Sequence, residues 1–300
     1  MEQYIQSRRG LFVMDPNICI TTLVENTTSG PGLFAEHGLS LWIEYGNRHI
    51  LFDTGQSNIL VQNAKALNID LAQADAIVLS HGHYDHTGGL STVLDIAPKA
   101  RLYLHPAAIE PKFSRSSPGT RSIGMPDSAR QAIRNREIIW TELPTQVFDG
   151  MGITGQVPRV NNFEDAGGAF FLDEDCREPD LLLDDQALFI ESSKGLIVVL
   201  GCAHAGVVNT LQQISDINRR KHFYAVMGGM HLLNAIPERI ERTITFFRQY
   251  NLQKIGPAHC TGGNAVERIR NAFPEQCFDC SVGTWIRFQG KENRIGNNGR

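Results

Sequence analysis

Short apolar runs punctuated by turn residues organise the first third of the chain: Ile18 to Val24, Leu39 to Glu44 and Ile50 to Phe52, the last ending at Asp53-Thr54-Gly55. Runs of this length and punctuation predict neighbouring antiparallel strands. The period then changes. Asn58 to Leu67 carries Ile59, Leu60, Ala64 and Leu67 at helical spacing and leads to an unbroken apolar run at Ala76 to Leu79, the pattern of a buried strand. Beyond it, a helical run to Ile96 precedes a strand at Arg101 to Leu104. Strands at Ala187 to Glu191, Leu196 to Leu200, Phe223 to Met227 and Lys254 to Gly256 are interleaved with helical runs at Val207 to Ile217 and Pro237 to Tyr250. The alternation predicts an α/β fold. Glu110 to Asp127 is rich in Ser, Gly, Pro and Arg and lacks periodicity, so it is expected to be an irregular, mobile, lid-like segment. Neither an internal repeat nor a low-complexity linker divides the chain, and one domain over residues 1–300 is the expectation.

Four of the apolar strands run into small-residue loops that carry histidine: Ser80-His81-Gly82-His83-Tyr84-Asp85-His86, Gly201-Cys202-Ala203-His204, Gly228-Gly229-Met230-His231 and Pro257-Ala258-His259-Cys260. In α/β sheets ligands bind at the carboxyl ends of strands. The first loop holds three imidazoles and a carboxylate within six residues. Alternating side chains past a strand can converge on one point, while the adjacent Asp85-His86 pair can reach a second. Imidazole and carboxylate suit zinc, manganese or iron(II), and two such ions about 3.5–4 Å apart form a hydrolytic or Lewis-acid centre. A histidine-rich surface loop is the alternative reading.

Composition changes this picture little but removes classes of partner. With 28 Lys+Arg against 32 Asp+Glu, 42% apolar residues and 300 residues, the chain can bury a large core unaided, so a metal would imply function. A net charge of −4 and a pI near 6.2 provide no basic stripe, so nucleic acid is not an expected partner. Met1 to Arg9 is polar and no apolar run is long enough to span a bilayer, which predicts a soluble, cytoplasmic protein without a membrane partner. The six cysteines are scattered and are expected to be reduced. Cys277-x-x-Cys280 lacks the second ligand pair that a structural zinc requires.

His81 to His86 resembles the signature of the metallo-β-lactamase fold superfamily, and Phe52-Asp53-Thr54-Gly55 resembles its preceding strand motif. Glu36 to Ser40, Asp53 to Ser57, Gly201 to His204, Gly228 to His231 and His259 to Gly262 are similar to a narrower branch named after an archaeal dihydropterin-(ribofuranosyl)aminobenzene phosphate synthase. The resemblance covers nearly the whole chain. It implies a four-layer αβ/βα sandwich with a binuclear site along one edge. It gives one metal to His81 and His83 and the other to Asp85, His86 and His259, with Asp53 as a hydrogen-bonding partner behind a ligand, a simple turn residue being the alternative. His204 is the candidate to complete the first metal, because no earlier histidine follows a strand in the usual place. Superfamily hydrolases carry a metal-bridging aspartate where this chain reads Gly201-Cys202; Cys202 is either a thiolate ligand or a packed thiol. The departure puts ordinary hydrolysis in doubt.

His231 falls where related phosphodiesterases keep a histidine near the leaving group, so general acid catalysis or phosphate contact is its functional reading and a structural role the alternative. Asp85 and His231 are thus the candidate catalytic residues. His37, between two early strands, is a candidate for the substrate side or for edge packing. Lys112, Arg115, Arg121 and Arg159 are candidates to bind an anionic group, or are solvated charges. The expectation is an enzyme with two divalent ions, zinc foremost, acting on a small anionic, phosphate-bearing substrate. The branch resemblance implies transfer of an aminobenzene nucleophile onto a pterin methyl diphosphate, with phosphoester or lactone hydrolysis as the alternative. A non-catalytic metal-binding sensor or effector on the same scaffold is the reading from a different class.

Overall fold

The computed structural model describes residues 17–116, 119–219, 222–288 and 294–297; Met1 to Arg9 lies outside them. In chain order come β1 (Ile18–Val24), β2 (Ser40–Tyr45), β3 (Arg48–Phe52), helix α1 (Ile59–Ala66), β4 (Ala76–Val78), the single turn α2 (Tyr84–Thr87), α3 (Leu90–Ile96) and β5 (Arg101–Leu104). The middle contributes β6 (Phe113–Ser116), β7 (Gly119–Ser122), α4 (Asp127–Ile133), β8 (Ile138–Trp140), β9 (Thr145–Phe148), β10 (Met151–Ile153) and β11 (Phe170–Phe171). The last part holds β12 (Ala187–Ser192), β13 (Gly195–Leu200), α5 (Val207–Asn218), β14 (Phe223–Gly229), α6 (Pro237–Gln249), β15 (Lys254–Ala258), α7 (Gly263–Ala272), β16 (Thr284–Phe288) and β17 (Arg294–Asn297).

One sheet has the order β17-β16-β1-β2-β3-β4-β5-β8 and the other β15-β14-β13-β12-β10-β9. The residue pattern explains their stacking. In β4, Ala76 and Val78 enter the core between the sheets, whereas Ile77 and the following Leu79 face the layer containing α1, α3 and α4. In β13, Ile197 and Val199 point inward while Leu196, Val198 and Leu200 meet α5, α6 and α7. A strand buried on both faces reads as a continuous apolar run, which is why these segments show no polar alternation. The layers are therefore helices, sheet, sheet, helices: the expected αβ/βα sandwich.

β1, β2 and β3 pair antiparallel as the pattern predicts, and β3, β4 and β5 then run parallel. In the other sheet β13, β14 and β15 are parallel. The carboxyl ends of both parallel sets meet at the same edge of the sandwich, where all four histidine-bearing loops emerge. Among the described residues no helix is long and apolar enough to cross a membrane.

The expected irregular segment from Glu110 to Asp127 is corrected by the structure. It contains the β6–β7 hairpin, which pairs with β11 as a small third sheet. Its strands, Phe-Ser-Arg-Ser and Gly-Thr-Arg-Ser, show no apolar period because β7 is exposed throughout and the sheet lies outside the main core.

One buried polar residue fixes the approach to the site. Asn63 of α1 accepts from the Phe34 amide (2.9 Å) and donates to the carbonyls of Leu23 and Phe34 (2.8 Å each), pinning the loop that bears His37 to α1 and β1. Asn63→Leu keeps the branched shape and orphans three backbone groups. Urea unfolding is expected to show a loss of about 2–4 kcal/mol. A loss below about 0.5 kcal/mol would mean that these bonds contribute little to holding the loop.

Candidate metal centre

Asp53 is the first fixed point. It follows β3 with a left-handed backbone (φ 57) and is fully buried. Its Oδ1 accepts from the Ser80 amide and its Oδ2 from Ser80 Oγ, both at 2.7 Å, while Oδ2 also lies 2.7 Å from His86 Nδ1. The opposite sheet reaches the same point through Gly201, where an added Cβ would lie 2.0 Å from Ser80 Oγ, so only glycine fits.

His81, His83 and His204, all buried, place ligand atoms within 4.8 Å of one another. His81 Nε2 lies 2.9 Å from His83 Nδ1, and the rings of His81 and His204 stand 4.9 Å apart, edge to face. His83 Nε2 and His204 Nε2 are buried and have no hydrogen-bond partner. An orphaned imidazole nitrogen is costly to bury, and it is the form in which histidine binds a cation. Burial above all lowers the pKa values of His81, His83 and His204, His83 to about 3.

A second set adjoins the first. His86 Nε2 lies 3.3 Å from His259 Nε2, 3.2 Å from Cys202 Sγ and 3.8 Å from Asp85 Oδ2. Asp85 Oδ2 is 3.3 Å from His259 and 3.1 Å from His37. Three overlapping groups result: His81-His86-Cys202, Cys202-His259-Cys260 and His37-Asp85-His259, each with ligand atoms within 4.8 Å. Burial opposes charge on Asp85, but His86, His259 and His37 outweigh it and hold the carboxyl well below its usual range. Burial also opposes charge on His86, yet Asp53 and Asp85 lift it to about 9. The donor set fits two soft-to-borderline divalent cations, which would neutralise Asp85 and give the orphaned nitrogens partners.

Several supports escaped the sequence reading. Asp184 Oδ2 accepts from the Gly82 amide (2.7 Å) and its Oδ1 from Lys112 (3.0 Å); Asp185 accepts from the Ala205 amide (2.8 Å); Gln186 donates to the Leu79 carbonyl (2.8 Å). Asp184 to Gln186 thus clamps the His81 and His204 loops together. Glu25 accepts from the His259 amide (2.8 Å), Asn26 Oδ1 faces His259 Nδ1 (2.9 Å), and the Ala166 carbonyl faces His204 Nδ1 (3.0 Å). Acidic or amide residues immediately flanking apolar strands were the available signal, as in Asp184-Asp185-Gln186 before β12 and Glu25-Asn26 after β1.

The expected anion-binding residues fare unequally. Arg121 lines the cavity, stacks over Tyr84 at 5.1 Å and donates to its hydroxyl at 3.2 Å. Lys112 does not reach the cavity: it is fully buried between Asp180 (2.9 Å) and Asp184 (3.0 Å), because a buried cation needs carboxylate partners more than a ligand. Arg115 is turned to the carbonyls of Asp175 and Cys176 and stacks on Phe171. Arg159 donates to the Leu181 carbonyl, outside the cavity. His37 and His231 line the cavity; burial and the charge of Arg239 lower His231 to about 4, so it is held neutral rather than as an imidazolium acid.

For the chelated protein, these pKa values set opposite limits. His83 titrates below the ordinary 6.5 in the fold, so its contribution is complete above that pH and lost as pH falls toward 3; His86 titrates above it, so its contribution is complete below 6.5 and lost as pH rises through 9. The urea midpoint with chelator present is expected to peak near pH 6.5 and fall on both sides, and Asp53→Asn to flatten the alkaline side. A midpoint still rising at pH 9 would contradict the Asp53–His86 pairing.

A family model described as the Metallo-beta-lactamase superfamily matches residues 34–207. The chain is 32% identical over 289 residues to the 7,8-dihydropterin-6-methyl-4-(beta-D-ribofuranosyl)-aminobenzene-5'-phosphate synthase of Methanocaldococcus jannaschii, spanning 91% of this chain and 97% of that protein. An uncharacterized protein of the same archaeon is 31% identical over 252 residues, spanning 83% of this chain and 93% of its own. A solved structure described as a metal-dependent hydrolase of the beta-lactamase superfamily superposes with a TM-score of 0.78 at 28% identity, covering 91% of this chain and all of that one.

Proposed function

The chain belongs to the metallo-beta-lactamase superfamily, and on that premise we propose that it is a metal-dependent enzyme acting on a small phosphate-bearing molecule in a pterin-related condensation. The observation that carries the reading is the convergence of the donor groups on one cavity of about 730 Å³, lined also by Arg121, Tyr84, Phe170 and His231. That volume suits a substrate of drug-like size. Full-length similarity to a protein named as a synthase supports condensation as the direction of the chemistry.

In this reading His81, His83 and His204 hold one divalent ion and Asp85, His86 and His259 the other, with Cys202 beside both. Zinc is the first choice for such nitrogen and sulfur donors, with manganese or iron as alternatives. When bound, the ions supply Lewis acidity toward a phosphoryl oxygen and neutralise charge on a leaving group. Asp53 fixes the His86 ring and its tautomer from behind. Arg121, braced by Tyr84, binds the phosphate. Neutral His231 hydrogen-bonds the leaving group, Asp85 orients the attacking amine by accepting a hydrogen bond from it, and the amine's proton leaves with the diphosphate. The β6–β7 hairpin, which contributes Ser114 and Arg121 to the cavity, restricts water access. Hydrolysis of a phosphoester is the second reading, favoured by the similarity to a metal-dependent hydrolase.

The test compares chelated and metal-reloaded protein on two substrate sets. One pairs a pterin methyl diphosphate with an aminobenzene ribofuranosyl phosphate; the other offers phosphodiesters and lactones. Metal-restored product from the first set is expected. Turnover of only the second set transfers the assignment to a hydrolase, and no turnover at full metal occupancy overturns the enzyme reading.

Three substitutions follow from the same assignment. Metal counting on His83→Ala and His259→Ala should show unequal losses, one from each position, and unchanged stoichiometry in both would refute the ligand sets. Arg121→Ala is expected to raise KM about tenfold with kcat little changed, as loss of a charge-assisted phosphate contact costs about 1.5–3 kcal/mol at most. A fall in kcat with unchanged KM would place Arg121 elsewhere in the reaction.

A further inference from the structure

Cys260 has no part in the ligand sets above, yet its sulfur belongs to one of the donor groups: Cys202, His259 and Cys260 place ligand atoms within 4.8 Å of one another, and His86 Nε2 lies 3.2 Å from Cys202 Sγ. We propose that Cys260 is a metal ligand, so that the second position is a site of two thiolates, with sulfur from both Cys202 and Cys260. The inference rests on the metal-binding reading of the preceding subsection.

The backbone is arranged to bring Cys260 there. Neighbouring residues of an extended strand point to opposite faces, so His259 and Cys260 at the end of β15 would normally diverge. His259 instead takes a left-handed conformation (φ 50) and opens a 3₁₀ turn over His259–Thr261, and both side chains turn to the cavity. Room for the sulfur comes from Gly229 at the end of the adjacent strand β14: a Cβ there would stand 2.7 Å from Cys260 Sγ. Cys260 Sγ makes a long contact with the Cys202 carbonyl, at 3.7 Å. Sulfurs bound to one tetrahedral zinc at about 2.3 Å stand roughly 3.8 Å apart, so a group spread over at most 4.8 Å needs to contract by about an ångström at the widest. On binding, each thiol loses its proton to solvent and forms one metal–sulfur bond; no oxidation is involved.

Two thiolates change which ion the position prefers. Soft donors select zinc, cadmium and cobalt over magnesium and manganese. Cobalt(II) serves as the probe because sulfur-to-cobalt charge transfer absorbs in the near ultraviolet in proportion to the thiolates bound.

Chelated, reduced protein is titrated with cobalt(II), and the band per bound ion is compared among wild type, Cys202→Ser, Cys260→Ser, the double variant and Cys277→Ser as a control outside the cavity. The expected result is a band that falls to about half in each single variant, vanishes in the double and is unchanged in the control. A band of wild-type strength in Cys260→Ser overturns the inference and leaves the metal assignment intact. If wild type binds no cobalt, both fall. Cadmium-113 resonance of wild-type protein asks the same question without substitution: a shift typical of two sulfur ligands supports the proposal, and one typical of one or none overturns it.

Discussion

A carboxylate excluded from water must have every oxygen matched, and Asp53 satisfies that demand in the one way that also builds a site. Its partners are the Ser80 amide, the Ser80 hydroxyl and the His86 ring. Unmatched, such a charge would cost several kcal/mol, enough to undo much of a domain's stability. Matched, it locks the end of β3 to the end of β4 and sets the starting point of the loop from His81 to His86. Because Gly201 approaches the same two residues from the other sheet, this contact also registers the second sheet against the first. A shift of an ångström here would move both donor groups relative to each other.

The same requirement recurs outward. The loops that carry His81, His204 and His259 emerge from the ends of parallel strands, and amides in each of them find carboxylate acceptors. Asp184 and Asp185 supply them to Gly82 and Ala205, and Glu25 supplies one to His259. Glu164 accepts from Val208 and Asn209 at the start of α5 and anchors the segment whose Ala166 carbonyl faces His204. Left-handed conformations at Asp53, Ala203, His231 and His259 lie in these same loops. Strain of that kind persists only where surrounding bonds over-determine the backbone, which is what the carboxylates do.

Sequence alone revealed the strand-end histidines because β4, β13, β14 and β15 are apolar on both faces and stop abruptly at glycine-rich turns. Asp53 was legible through the resemblance of Phe52-Asp53-Thr54-Gly55 to the family's strand motif, its place at the end of a strand leaving a simple turn residue as the alternative. Sequence could not reveal the third sheet, since β6 and β7 bury too little to show a period. Nor could it separate Arg121 from Lys112: both are cations of one polar stretch, and their fates depend on Asp180 and Asp184, about 70 residues away in the chain. Cys260 went unremarked for a related reason. Its neighbour His259 explains the turn by itself, and only the missing side chain at Gly229 shows that a sulfur has space beside the donors.

Cys202 ties the charge of the centre to its occupancy. Burial above all raises the pKa of its thiol well above the ordinary range, and the neighbouring Cys260 adds to this. An aspartate at that point would carry a fixed negative charge before any cation arrived. A thiol carries one only as a cation displaces its proton, so binding at the second position and ionisation of Cys202 are one linked event. Asp53 is already matched by His86, and the imidazoles of the first position are neutral; Asp85 is then the carboxylate in the donor groups that offsets a bound cation directly. On the proposed reading, the loaded centre carries the Cys202 and Cys260 thiolates where an aspartate-bridged one carries a single carboxylate, and that charge is acquired with the cation instead of being held in advance. The replacement of one side chain thus makes occupancy of the second position depend on pH, since each cation bound there must displace a thiol proton.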